Sequence, residues 1–268
     1  MAGAVKIFFL HIPKTAGQSV HNALVNGFGA ESVCPARVNE QLLMMTISQL
    51  NSYRIFSGHF DWTLLDCVQG PKYVFTILRE PMDRILSFYF FLRDQASQFS
   101  QEELDNPSRQ GLRAVWKNCP HDYFTTGPPH LRRFLDDHYD NFYAYYFAAR
   151  SFGGRGQLTG LIRRGLLTTN DVLRMARDNM RQLDAVYTID EMPKVLEKIR
   201  ELSGQPLFGD DTYRVNINRN LEAGRRMLAL RELGATDDTF RKIEQFCELD
   251  IQLWRELLEV RQVPLSVS

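Results

Sequence analysis

Residues 5–11, Val-Lys-Ile-Phe-Phe-Leu-His, form a β-branched and aromatic run that stops short of Pro13, the pattern of a buried strand entering a turn. The spacing then becomes helical over residues 18–27. Two further short apolar runs, 53–56 and 72–78, are punctuated by Gly58 and by Gly70-Pro71, and each leads into a helix-like segment. Strands alternating with helices predict a mostly parallel sheet. From Pro81 onward Met82, Ile85, Leu86, Tyr89, Phe90 and Leu92 recur at helical intervals, predicting a long amphipathic helix to about Gln95. Residues 97–127 are polar, with Asn-Pro and Gly punctuation, and predict short helices and loops around the sheet's edge. A further strand is expected over 185–189, a helix over 192–202, an irregular segment over 204–220, and two closing helices, the last over 237–260. No internal repeat or low-complexity segment interrupts this order.

The 268 residues suffice for one domain with a buried core, expected to span 1–268. Lys plus Arg equals Asp plus Glu at 32 each, so no overall field recruits nucleic acid or an anionic membrane, and any anion site must be local. Cys34, Cys67, Cys119 and Cys247 are far apart and form no C-x-x-C pair, which argues for reduced thiols over a zinc site or a disulfide framework. The first apolar run is too short for a membrane span or a signal peptide, and later aromatic stretches are broken by Arg and Asp. A soluble, cytoplasmic protein is the expectation.

Two segments carry candidate chemistry. The nine residues HIPKTAGQS, 11–19, sit between a strand and a helix, where parallel sheets bind ligands. A turn at Gly17 and the following helix N-terminus offer N–H donors to an anion, Lys14 adds charge, and Thr15 and Ser19 add hydroxyls. The nucleotide-triphosphate loop G-x-x-x-x-G-K-[ST] does not fit, because the lysine precedes the glycine and the first glycine is absent. The second segment leaves the 72–78 strand at Arg79-Glu80-Pro81 and reaches Ser87 eight residues past the arginine. The fork of Arg79 and the hydroxyl of Ser87 can hold a second phosphate. Taken singly, Lys14 can equally be a solvated charge, Arg79 can pair with Glu80 or Asp83, and Ser87 can be a small helix-packing residue.

Together HIPKTAGQS and ILREPMDRILSFY resemble the two signatures that sulfotransferases use for 3′-phosphoadenosine 5′-phosphosulfate (PAPS). The intervening RIFSGHFDW and the continuation SFYFFLRD resemble the carbohydrate branch of that superfamily, in particular the heparan and uronyl 2-O-sulfotransferases. The similarity covers roughly residues 5–95. It implies a P-loop-like three-layer α/β sandwich with a mostly parallel central sheet and a largely helical C-terminal half. It also implies that Lys14, Thr15, Ala16, Gly17, Gln18 and Ser19 surround the 5′-phosphosulfate and that Arg79 and Ser87 take the 3′-phosphate. His59, following Gly58, matches the presumed catalytic base of the 2-O-sulfotransferase pattern. The chain departs from that pattern at Ser57, where a second histidine is usual, and at Gln18, where a small residue is commoner. Residues 140–143 are similar to an acceptor-side stretch of the family, and 204–220, with Arg214 and Asn216, fall where these enzymes fold a loop over adenosine.

The implied reaction moves the sulfuryl group of PAPS to an acceptor hydroxyl, of a saccharide by this resemblance. His59 would take the hydroxyl proton, and Lys14 would stabilise charge on the leaving oxygen. No His, Cys or carboxylate cluster has convincing metal-ligand spacing, and the chemistry requires no metal. Arg132-Arg133, Arg150, Arg155 and Arg163-Arg164 can form a solvated face or bind an anionic acceptor; His11 and the Phe and Tyr clusters fit packing roles. Alternatives open at this point are a small-molecule, lipid or tyrosine acceptor, a nucleotide kinase, and a non-catalytic nucleotide-binding or interaction protein.

Overall fold

The computed structural model describes residues 5–126, 129–204 and 223–262. The strands are β1 (Lys6–Leu10), β2 (Ile55–Gly58), β3 (Lys72–Leu78) and β4 (Ala185–Thr188). Among the helices are α1 (Gly17–Phe28), α2 (Pro81–Ala96), α3 (Phe142–Ala149), α4 (Met192–Ser203), α5 (Asp237–Phe246) and α6 (Glu248–Gln262). The chain forms two compact units. The first comprises Met1–Arg79, Ala149–Gly154 and Arg177–Asn220, and the second Glu80–Ala148, Arg155–Ala176 and Leu221–Ser268.

In the first unit the strands form one all-parallel sheet in the order β2-β1-β3-β4. The near-continuous apolar runs of β1 and β3 reflect burial on both faces, which parallel strands require. Ile7 and Phe9 pack with Val20 and Leu24 of α1 and Val195 and Ile199 of α4. On the alternate parity Phe8 stacks on Phe56 at 4.6 Å. Each such fully buried aromatic contributes about 1.5–3 kcal/mol. The α/β class expected from the sequence is present, with a C-terminal half that is largely helical, consistent with the three-layer sandwich. Because the chain passes from β1 to β2 and then returns to the other side of β1, the order reverses at β1. A crevice at the carboxyl ends of the strands follows from that reversal.

In the second unit α2 begins with Pro81 in its first turn, and the Glu80 carboxylate accepts from the N–H groups of Met82 and Asp83 at 3.2 and 2.6 Å. Ile85, Leu86, Tyr89 and Leu92 enter a core with Tyr123, Phe124, Tyr139 and Phe246. Tyr89, Tyr143, Tyr146 and Phe147 are buried, as packing roles demand.

The single closing helix expected over 237–260 is two helices, broken at Cys247 (φ −130°, ψ 23°). The cause is Asn141, itself left-handed at φ 45°. Its N–H donates to the Phe246 carbonyl at 2.6 Å, and its Oδ1 accepts from the Leu249 N–H at 2.7 Å. A residue more than a hundred positions away thus takes bonds the helix would otherwise make, without disturbing the apolar periodicity. The stretch 140–143 therefore has a structural task in this chain. Of residues 204–220, where an adenosine loop with Arg214 and Asn216 was expected, all after Gly204 lie outside the described residues.

Asp250 reaches back to the start of α3, accepting from the N–H groups of Tyr143 and Ala144 at 3.1 and 2.9 Å. Burial pushes its carboxyl up to about 7, against the opposing pull of those N–H groups and the Arg84 charge. Between about pH 4 and 7 the folded chain then holds a proton that the unfolded chain has lost. The contribution of this group to stability is full below about pH 4 and is lost as pH rises through 7. Asp250→Asn should therefore flatten the fall in unfolding free energy across that window, measured by denaturant melts at stepped pH. An unchanged slope would count against a buried, protonated Asp250.

Candidate active site

Three neighbouring strands of the first unit deliver the candidate residues from one end. β1 runs into residues 11–16, β2 into His59, and β3 into Arg79. In the β1–β2 register Leu10 pairs with Gly58, and the His11 N–H donates to the Gly58 carbonyl at 3.0 Å. The next residues, His11 and His59, consequently stack, with ring centroids 4.4 Å apart.

The loop after β1 holds two left-handed residues that are not glycine, Lys14 at φ 72° and Ala16 at φ 66°. Each costs about 1–2 kcal/mol. Between them Thr15 is fully buried, and its hydroxyl donates to the Ile12 carbonyl at 2.8 Å, which locks the turn from inside. That hydroxyl proton is committed inward. Ala16 caps α1 without a side-chain bond, and the first intrahelical bond runs from the Val20 N–H to the Ala16 carbonyl. The N–H groups of Gly17, Gln18 and Ser19 lie ahead of it, at the positive end of the helix dipole. Left-handed turns feeding a helix N-terminus are the backbone geometry of anion-binding nests. Ser19 is buried on the first turn, whereas Gln18 is exposed and donates its amide to Asn22 Oδ1 at 2.8 Å.

Gly17 is not one of the left-handed residues. Its side chain is missing because a Cβ there would lie 1.9 Å from the His11 ring. Gly58 is constrained similarly: its Cβ would meet the Arg37 carbonyl at 2.4 Å. The segment containing Arg37 runs parallel to β2, bridging Val33 to Ile55 and Val38 to His59.

His59 Nδ1 lies 2.7 Å from the His11 carbonyl oxygen. A carbonyl only accepts, so Nδ1 carries the hydrogen and the neutral ring presents its lone pair at Nε2. Burial lowers the His59 pKa below the ordinary histidine value; the bond to the His11 carbonyl opposes this and the Arg37 charge adds to it. His11 is pushed well below its usual range, first by burial and then by His59, Arg37, Lys14 and His21. His21 is lowered to about 4 by burial and Arg37. The Phe152 and His59 rings meet nearly at right angles, with centroids 5.7 Å apart. Phe152 is held by Asp61, which accepts from the Phe152 N–H at 2.8 Å and the Ser151 hydroxyl at 3.1 Å.

Among the residues singled out from sequence, 14–19, His59 and Arg79 come together in the first unit, and Ser87 belongs to the second. Arg79 is 7 % exposed, at the end of β3. Ser87, on α2, is buried, and its hydroxyl has no hydrogen-bond partner among the described residues. A buried hydroxyl left unsatisfied costs about 1–3 kcal/mol. Ser57, where the resemblance placed a second histidine, is fully buried in register with Phe9. Arg155 is engaged by Asp140 at 2.7 Å and Asp136 at 3.0 Å, and Arg150 lies over the Trp62 ring. Sequence reasoning missed the contributions of His11, Arg37, Asp61 and Phe152. A β1–β2 register was the only signal able to place His11 against His59; Phe152 had none.

Among the described residues no His, Cys or carboxylate group is arranged to hold a metal ion, no helix is long and apolar enough to cross a membrane, and the four cysteines are free thiols. No curated protein matches the chain. The sulfotransferase family matches residues 1–149, more than half of the sequence, a span containing β1 to β3, both candidate motifs and His59. With that match added to a strand–loop–helix segment and a histidine ring on adjacent strand ends, the chain belongs to the sulfotransferase family, transferases of sulfuryl groups.

Proposed function

We propose that the protein transfers the sulfuryl group of PAPS to a hydroxyl of a carbohydrate, with His59 as general base. The observation that carries this reading is the convergence of residues 14–19, His59 and Arg79 at the carboxyl ends of three adjacent parallel strands. The two units act as one domain, since the chain passes between them five times. The four thiols fit a reducing cytoplasm.

In this reading Lys14, Thr15, Ala16, Gly17, Gln18 and Ser19 surround the 5′-phosphosulfate, with the N-terminus of α1 supplying N–H donors. Arg79 and Ser87 hold the 3′-phosphate, and the buried Ser87 hydroxyl has no hydrogen-bond partner among the described residues. The donor supplies an activated sulfur–oxygen bond. His59 Nε2 receives the acceptor's hydroxyl proton as that oxygen bonds to sulfur in line with the departing oxygen. The Lys14 ammonium stabilises the charge that develops on the departing oxygen. Phe152, nearly perpendicular to His59, supports a sugar ring as acceptor by offering an apolar wall beside the base. No metal ion takes part.

Calorimetric titration with 3′-phosphoadenosine 5′-phosphate tests the donor site. Arg79→Ala should weaken binding by about 10- to 100-fold, the worth of a charged hydrogen bond. Adenosine 5′-phosphosulfate, which lacks the 3′-phosphate, should bind both proteins weakly and alike. Equal affinity of wild type and variant for the 3′-phosphorylated ligand would remove Arg79 from the site.

A further inference from the structure

We propose that His11 is a positioning residue, whose ring spaces the base His59 from the helix start at Gly17 and whose carbonyl holds the base in one tautomer. The inference rests on His59 being the base of the proposed reaction. Three contacts converge on the His11 ring. It stacks on His59 at 4.4 Å and 25°, and on Phe9 at 5.3 Å and 22°. Its Cε1–Nε2 edge fills the space a Gly17 side chain would occupy, 1.9 Å from the ideal Cβ position. The carbonyl of the same residue accepts the His59 Nδ1–H at 2.7 Å.

One residue therefore touches both halves of the chemistry: the first residue of α1, at the anion loop, and the ring that would take the proton. A five-membered ring suits the gap, because a larger aromatic edge would press on the Gly17 backbone. Burial first, and then His59, Arg37, Lys14 and His21, push the His11 pKa well below the ordinary histidine range and so favour its neutral ring. The groups acting on His59 are His11 from the end of β1, Arg37 from the segment beside β2, and the uncharged ring of Phe152. Removing the His11 ring opens one face of His59 to water and leaves the other two neighbours in place.

The test combines ¹⁵N NMR titration of His59 with kinetics in the full-length chain, using His11→Ala, Gly17→Ala and the double variant. His11→Ala should raise the His59 titration midpoint toward the ordinary histidine value, while the backbone carbonyl, which the substitution retains, keeps the hydrogen on Nδ1. It should also lower kcat by about tenfold or more, as loss of alignment does, with affinity for 3′-phosphoadenosine 5′-phosphate retained. Gly17→Ala, by pushing the ring aside, should reproduce the His59 change, and adding it to His11→Ala should change that signal no further. An unmoved His59 titration in His11→Ala, or additive effects in the double variant, would overturn the proposal. The NMR readout needs no turnover, so it stands apart from any failure of His59 as the base, which full activity of a His59→Ala protein would reveal.

Discussion

His59→Ala should lower turnover by about two to four orders of magnitude, the range for loss of a positioned general base, while binding of 3′-phosphoadenosine 5′-phosphate stays unchanged. An alcohol is a poor nucleophile at neutral pH, and in the proposed reaction the Nε2 lone pair of His59 accepts its proton. The pH profile of the wild type should carry the same signature. Burial and the Arg37 charge depress the His59 pKa, so the neutral base persists below the ordinary histidine midpoint. Activity should accordingly hold through pH 6.5 and fall only at lower pH, as the ring becomes protonated. The variant's residual activity should lack that acid limb. A His59→Ala enzyme with wild-type turnover, or a wild-type acid limb above pH 7, would remove His59 from proton transfer.

Lys14→Gly should cost about two to three orders of magnitude in turnover, comparable to removing one electrostatic contact to a developing anion, and leave the fold intact or firmer. The separation arises because Lys14 occupies φ 72°, where a lysine is strained and a glycine is not. The relief, about 1–2 kcal/mol, is set against the larger backbone entropy glycine loses on folding, roughly 0.5–1 kcal/mol. Thermal melting should therefore show a midpoint equal to or slightly above wild type, alongside the kinetic loss. A destabilised variant would mean that the Lys14 side chain holds the loop together, and undiminished turnover would mean that its charge does no chemistry. Tension between activity and stability is characteristic of strained functional loops.

Much of the first unit was legible because its physics is local. β1 and β3 are short and continuous in apolar residues, and turn residues bracket them, so their periodicity and ends were readable within a residue or two. The start of α2 was equally clear, since Pro81 at its first turn and the preceding Glu80 are local signals. Residues 11–19 were recognisable as a strand–turn–helix segment, and Arg79 as the residue leaving a strand. The interior of that segment was read less well. Gly17 looked like the turn residue, yet the left-handed positions are Lys14 and Ala16, and Thr15 spends its hydroxyl on Ile12.

What the amino-acid sequence by itself determined was the succession of strands and helices, the absence of an overall charge field, and the order of the two motifs with His59 between them. Each depends on residue type and on spacing within a few turns of chain. Only the tertiary structure decided that His11 and His59 stack, because that follows from the Leu10–Gly58 register of two strands over forty residues apart. The Asp61 contacts that bring Phe152 to His59, and the Asn141 bonds that split the final helix, likewise join residues about a hundred positions apart. Side-chain periodicity reports which face of an element is buried and is silent about which distant residue meets it, so long-range hydrogen bonds and ring contacts become visible only once the chain is folded.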